Sequence, residues 1–408
     1  MKIVLANKYY FLKGGAERHL FDLERLLAAH GHETVPFAMR DSRNRTTSWS
    51  RHFVSPVQTE RVSFGWQGLR TVGRSLYSVE AKRKFSRLLD EVRPDLVHVH
   101  NIYRQISPSI LPEAKRRGLP VVATVHDYAL CAPNYSLYHD GKICEITRPN
   151  RYFRAVGHRC VKNSRAASLL AASELWLHDR LGLYRKNIDR FLVPSRFLKA
   201  MMVEYGWREE TIDVLPLSID ANKYQPSYGK GGNVLFVGRL SQEKGVEVLI
   251  RAASLYRGVP FRIVGSGPEE GRLKSLASDL KADNVVFVGQ KEGTELLDEY
   301  ANCRLLVVPS EWYEVFGLVS LEGMAHGKPV IASRIGGLPE VVRDGETGVL
   351  TEAGNPVELA EAIYELWKSP ETCEEMGRAG RRRIETVFTP ERFYQGLKDA
   401  YAKVGVEI

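Results

Sequence analysis

Residues 309–340, PSEWYEVFGLVSLEGMAHGKPVIASRIGGLPE, decide how the chain is read. Glu314 and Glu322 stand with seven residues between them on a stretch with helical spacing of its apolar residues; Phe316-Gly317 follows the first acid, and Gly327-Lys328-Pro329 ends the stretch before a strand-like run. As one helix, this segment would hold the two carboxylates about 12 Å apart along the axis and roughly 80° apart around it. Two carboxylates that work on one scissile bond stand about 5 to 9.5 Å apart. The pair is therefore expected to grip an elongated ligand at two places rather than to share a bond.

This stretch belongs to a repeating pattern. Short β-branched runs alternate with longer helical patterns, as in βαβ units with parallel sheets. The first half supplies KIVLA (2–6), ETVPFA (33–38), DLVHVH (95–100), PVVATVH (120–126), DRFLVP (189–194) and TIDVLP (211–216). The second restarts with NVLFVG (233–238), FRIVG (261–265), NVVFVG (284–289), RLLVVP (304–309), PVIAS (329–333) and TGVLT (347–351). Between them DANKYQPSYGKGG (220–232) has no periodicity and reads as a linker. Three helical patterns close the chain at 354–368, 371–386 and 390–404, the last opening on Thr389 as N-cap with Pro390 in the first turn. Stretches 41–63 and 128–159 are poorly patterned and read as irregular. At 408 residues, two domains are expected, 1–219 and 233–386, with 387–408 as a terminal helix crossing back to the first.

The composition is that of a soluble globular protein. No apolar run approaches the roughly 18 to 20 residues of a membrane helix, and the N-terminal run is too short for a signal peptide, so a cytoplasmic location is expected. The five cysteines form no tight pair, which points to reduced thiols; Cys131, Cys144 and Cys160 contain no Cys-x-x-Cys knuckle, and no metal site is expected. The net charge of +9 is uneven: residues 1–218 carry 35 Lys and Arg against 21 Asp and Glu, the remainder 23 against 28. A basic first half suits an anionic membrane surface or a phosphate-bearing substrate. Without an aromatic-interleaved basic stripe, nucleic acid is not an expected partner.

Candidate site residues gather where strands end. Gly14-Gly15 precedes an amphipathic helix and lets backbone N–H groups close on an anion, although the Gly-x-Gly-x-x-Gly fingerprint is absent. His126-Asp127 ends a strand, where a histidine can meet a sugar hydroxyl or carry a proton and the acid can cap the next segment. VGRLSQEKG (237–245) sets Arg239 and Lys244 at the edge of the second half's first strand, two cations suited to a diphosphate.

With these residues in hand, the chain resembles the family 4 nucleotide-sugar glycosyltransferases of the GT-B type, nearly end to end. The resemblance is carried by Gly14-Gly15-Ala16-Glu17, by His126-Asp127-Tyr128, by VGRLSQEKG, and by EVFGLVSLE (314–322) with the GKPVIASRIGGLPEVVRDGETG that follows (327–348). It implies two Rossmann-like, doubly wound α/β domains facing across a cleft. It further implies a retaining transfer of a sugar from a nucleoside diphosphate to a hydroxyl of a glycan or lipid-linked acceptor, of the kind used in polysaccharide biosynthesis. Arg239 and Lys244 would neutralise the departing diphosphate, helped by Gly238 and by backbone N–H groups near Phe316, Gly317 and Leu318. Glu314 would hold donor-sugar hydroxyls, Glu322 the ribose, Gln290 would lie near the base, His126 near the anomeric carbon, and Gly15 would approach the phosphates from the other domain. Tyr10, Gly14, Glu17 and Asp127 would face the acceptor. Such an enzyme needs neither metal nor cofactor, and its basic domain would allow peripheral contact with the inner face of a membrane. A sugar-nucleotide epimerase of the same fold and a non-catalytic sugar-nucleotide-binding protein are the alternatives.

Overall fold

The computed structural model describes residues 1–57, 73–229 and 231–408; the end of the 41–63 stretch and one linker position lie outside the described residues. Every strand-like run forms a strand. The first half holds β1 (Lys2–Ala6), β2 (Glu33–Phe37), β3 (Leu96–Val99), β4 (Val121–Thr124), the short hairpin β5 (Tyr138–His139) and β6 (Lys142–Ile143), then β7 (Arg190–Val193) and β8 (Ile212–Val214). The second holds β9 (Val234–Val237), β10 (Phe261–Val264), β11 (Val285–Gly289), β12 (Leu305–Val308), β13 (Val330–Ser333) and β14 (Gly348–Thr351). They build two parallel sheets of six strands, ordered β2-β1-β3-β4-β7-β8 and β11-β10-β9-β12-β13-β14. The second has the 3-2-1-4-5-6 order of a dinucleotide-binding sheet. The strand order reverses between β1 and β3 in one sheet and between β9 and β12 in the other. Crevices at the carboxyl ends of strands beside such reversals are where open α/β sheets bind ligands.

Each sheet is covered on both faces. Val4, Ala6, Val97 and Val99 belong to one apolar cluster while Ile3, Leu5 and Leu96 belong to another. Two buried faces explain why the strands read as continuous apolar runs rather than as alternations. The helix Pro390–Ala402 closes the second of these faces, with Phe393, Leu397, Ala400 and Tyr401 packed on Ile3, Leu5 and Leu20. Its start is capped by Thr389, whose side chain accepts from Arg392 N at 3.2 Å. Burying Phe393 and Leu397 contributes about 1.5 to 3 kcal/mol each.

The domains touch through side chains as well. The Ser195 hydroxyl donates to the Val315 carbonyl at 2.7 Å, and the Glu340 carboxylate accepts from Arg196 N and Phe197 N at 2.9 and 2.8 Å. A carboxylate from the second domain thus sits at the positive end of the helix Arg196–Glu204 of the first.

Two readings change. The 128–159 stretch contains the β5–β6 hairpin and a turn of helix at Arg154–Gly157. Glu314 and Glu322 do not share a helix, because the helix is only Leu318–Ala325. Gly317 before it has φ of 103°, a left-handed backbone that breaks helical continuity, and a Cβ there would meet Leu338 Cδ2 at 2.6 Å. Glu314 lies in the loop after β12, where its carbonyl accepts from Gly337 N at 2.7 Å.

Candidate functional site

A cavity of about 860 Å³ opens between the two domains at the carboxyl ends of β1, β4, β9 and β12. It brings together Gly14, Gly15, Glu17, His126, Asp127, Gly238, Arg239, Lys244, Glu314, Phe316, Gly317 and Leu318, residues drawn from the segments that follow four separate strands. Two helices aim their N-termini at it. Gly15 opens the helix Gly15–Ala29, and a Cβ on it would stand 3.2 Å from Leu318, which opens the helix facing it from the other domain. Orphan backbone N–H groups and two positive helix ends make this an anion-binding place.

The loop after β12 carries the acid. Glu314 is buried, and its Oε1 takes hydrogen bonds from Lys244 Nζ at 2.5 Å and Ser310 Oγ at 2.8 Å. Burial alone would push its carboxyl up, but the Lys244 charge and these hydrogen bonds outweigh it and hold the group below the usual carboxylate range. Glu314 is therefore an anion at neutral pH. Lys244 is placed by a single 3-10 turn, Gln242–Lys244, whose following Gly245 presses on the β12 loop: a Cβ there would meet the Pro309 carbonyl oxygen at 1.8 Å. Arg239 is exposed and makes no ion pair with any described residue. It is a free cation on the cavity wall, beside a lysine already engaged.

Three sequence candidates are not on the wall. Tyr10 is buried against Phe21 and Phe53 with its hydroxyl on Glu24 at 2.8 Å, and its neighbour Tyr9 lines the cavity instead. Gln290 follows β11 and is exposed, taking a hydrogen bond from Ser266 Oγ at 3.1 Å. Glu322 is buried behind the wall, holding the Tyr300 hydroxyl at 2.5 Å and the guanidinium of Arg18, which reaches over from the first domain and also donates to Tyr224 at 2.7 Å. The two glutamates thus have separate partners.

Sequence reasoning also passed over part of the wall: Lys8, Lys13, Asn101, Tyr103, Arg104, Glu174 and Trp312. Arg104 Nε donates to Glu174 at 3.1 Å, yet burial dominates and pushes the Glu174 carboxyl up to about 7. All five cysteines are free thiols, and no group of three or more His, Cys, Asp or Glu among the described residues is placed to hold a metal. No described helix is long and apolar enough to cross a membrane.

A layer of histidines runs inward from the cavity wall, with His126 on the wall and His19, His98 and His100 buried behind it. His19, His98, His100 and His126 touch ring to ring, with burial lowering His98 to about 3, His19 to about 4 and the other two well below the ordinary value. Such a histidine stays neutral in the folded chain but takes up a proton on unfolding below about pH 6.5, so its presence lowers stability as pH falls from there toward its folded value. Raised acids such as Glu174 act in the opposite sense. Relative to the parent, the unfolding free energy of His19→Phe should lose less on acidification from pH 6.5 to 4, by about 1.4 kcal/mol per pH unit. Urea unfolding at several pH values checks this, and parallel curves would contradict it.

Two Rossmann-like domains meeting at a cavity that joins helix N-termini, the cations Arg239 and Lys244 and a buried carboxylate define a GT-B protein. The chain belongs to glycosyltransferase family 4: residues 13–223 match that family, and residues 220–383 match glycosyl transferases group 1. It is a glycosyltransferase. It is 30% identical to the D-inositol 3-phosphate glycosyltransferase of Pseudarthrobacter chlorophenolicus over 75% of this chain and 70% of that protein. It is 27% identical to the glycogen synthase of Mycobacterium tuberculosis H37Rv over 95% and 91%. Among solved structures, sucrose-phosphate synthase from Thermosynechococcus elongatus superposes with a TM-score of 0.73 at 21% identity, covering 99% of each chain. Anabaena Alr3699/HepE in complex with UDP-glucose does so with 0.70 at 20%, covering 98% and 99%.

Proposed function

We propose that the protein is a retaining glycosyltransferase moving a sugar from a nucleoside-diphosphate sugar to a hydroxyl of a glycan or lipid-linked acceptor. The observation that carries the reading is the row of Arg239, Lys244 and the Gly317–Leu318 helix start along one wall, facing Gly14-Gly15 on the other. A diphosphate fits this row. The Alr3699/HepE structure, with UDP-glucose bound in a chain of the same fold, agrees with such a donor.

In this reading the β-phosphate departs toward Arg239, Lys244 and the N–H groups of Gly317 and Leu318, which stabilise the charge as it develops. Glu314 holds sugar hydroxyls, and its ion pair with Lys244 couples sugar placement to phosphate placement. Glu322 takes the ribose, Gln290 borders the base, and His126 faces the sugar. An oxocarbenium-like centre forms, the acceptor hydroxyl attacks from the face the diphosphate has left, and a phosphate oxygen takes its proton. The protein contributes position and charge, needing neither a nucleophile nor a metal. Glu17, Gly14 and Asp127 lie on the first-domain wall, where the acceptor enters. The basic charge of that domain favours an acceptor at an anionic membrane surface.

A thermal-shift series with UDP, GDP and ADP, followed by turnover of the matching sugar nucleotides, tests this. One diphosphate should raise the melting temperature, and its sugar should be transferred with the anomeric configuration kept. Conversion of the sugar nucleotide to its epimer without an acceptor, or inversion at the anomeric carbon, would sink it.

A further inference from the structure

The histidine layer contains one hydrogen bond that reaches the reacting end of the cavity. His100 Nδ1 and His126 Nε2 are 2.9 Å apart with their rings within 22° of coplanar, the geometry of an in-plane N–H···N bond. His126 lines the cavity and His100 lies behind it, buried. Everything around His100 fixes its ring. His98, two residues earlier and so on the same side of the strand, stacks on it at 4.7 Å and 15°; His19 meets it edge-on at 5.9 Å. His98 is itself pinned at both nitrogens, by the Tyr401 hydroxyl at 2.7 Å and Thr124 Oγ1 at 2.8 Å.

The direction of the bond follows from the far side of His100. Its Nε2 is buried with no partner among the described residues. A proton there would leave a buried N–H unsatisfied, costing about 1 to 3 kcal/mol, and unmet donors are rarer in proteins than unmet acceptors. The proton of neutral His100 therefore belongs on Nδ1, which makes it the donor and His126 Nε2 the acceptor. A neutral imidazole accepting at Nε2 carries its own proton on Nδ1. Both rings are neutral at ordinary pH through burial, reinforced by His19, His98 and, for His126, by Lys8. Asp127, the adjacent acid, is itself raised by burial.

We propose that His100 is the positioning residue of His126, donating to its Nε2 so that His126 presents a fixed Nδ1–H to an oxygen of the donor sugar. This rests on the placement of His126 at the sugar in the function proposed above. His126 then acts as a neutral hydrogen-bond donor and not as an acid or base. Its hydroxyl-binding direction is set by a residue that never touches the ligand.

The test uses the whole chain labelled with ¹⁵N-histidine, with His126→Gln to assign its signals in long-range proton–nitrogen spectra. His126 should be neutral with its proton on Nδ1 and should not titrate between about pH 6 and 8. A proton on Nε2 overturns the proposal. Kinetics supply the second arm. His100→Asn keeps an N–H at the position of Nδ1, whereas His100→Leu removes it at similar volume. Leucine should lower turnover about ten- to a hundredfold at unchanged nucleotide affinity, and asparagine should recover most of that loss; equal rates in the two variants overturn the positioning role. Full turnover in His126→Gln overturns the placement at the sugar and with it the catalytic half of the proposal, whichever tautomer is found.

Discussion

Lys244→Ala should lower turnover by about a hundred- to a thousandfold, the range for removing one preorganised donor from a site of developing charge. Its ammonium is fixed by Glu314 at 2.5 Å and stands over the Trp312 ring at 5.1 Å, so in the proposed mechanism it would meet the departing phosphate without reorganising. Arg239 remains in this variant, and so most of the affinity for a nucleoside diphosphate remains too. The same substitution strips a buried carboxylate of its counter-ion. Breaking such a pair from one side costs on the order of 3 kcal/mol, and the Glu314 carboxyl should rise once the lysine is gone. Rate and stability can be separated with Lys244→Met combined with Glu314→Gln, which removes both charges together. That double variant should recover the urea midpoint but not the rate. An unchanged rate in Lys244→Ala would take the residue out of the leaving-group role.

Glu314→Ala and Glu322→Ala should fail in different ways. Glu314 is tied to Lys244 and Ser310 on the cavity wall, and its loss should reduce turnover by about a hundredfold or more while calorimetry shows nucleotide affinity little changed. Glu322 lies one helix turn inside, with Tyr300 and Arg18. In the role proposed for it Glu322 accepts from ribose hydroxyls, and its loss should remove about 1.5 to 3 kcal/mol of binding, roughly ten- to a hundredfold in nucleotide affinity. Equal losses of affinity in the two variants would contradict the assigned division between sugar and ribose.

The sheets were legible because parallel strands buried on both faces announce themselves as β-branched runs, and strand ends locate a binding crevice without further information. His126, Arg239 and Lys244 were singled out as strand-end residues before any resemblance was drawn, and all three line the cavity. Glu314 was given the wrong backbone because apolar spacing at 315, 318, 319 and 321 continues through Gly317, and a positive φ leaves no mark on that spacing. The choice between Tyr9 and Tyr10 depends on which way two neighbours face, and only the packing against Phe21 and Phe53 decides it. Arg104 and Glu174 come from elements far apart in the chain, and nothing local to either signals that they meet. The His-Val-His run at 98–100 did carry a signal, since alternate residues on a strand share a face. Its partners could be recognised only once β3 was known to lie beside β4.

Tyr401 sets a clock on the first domain. Its hydroxyl holds His98, and Phe393 lies against His19, so the helix that completes the first sheet's cover is made after every described strand of both sheets. At about 5 to 20 residues per second, translation from residue 219 to residue 402 takes roughly ten to forty seconds. Throughout that interval this face is covered only by first-domain residues such as Leu20, Phe21, Leu23 and Leu27 of the helix Gly15–Ala29, and His98 lacks its Tyr401 partner.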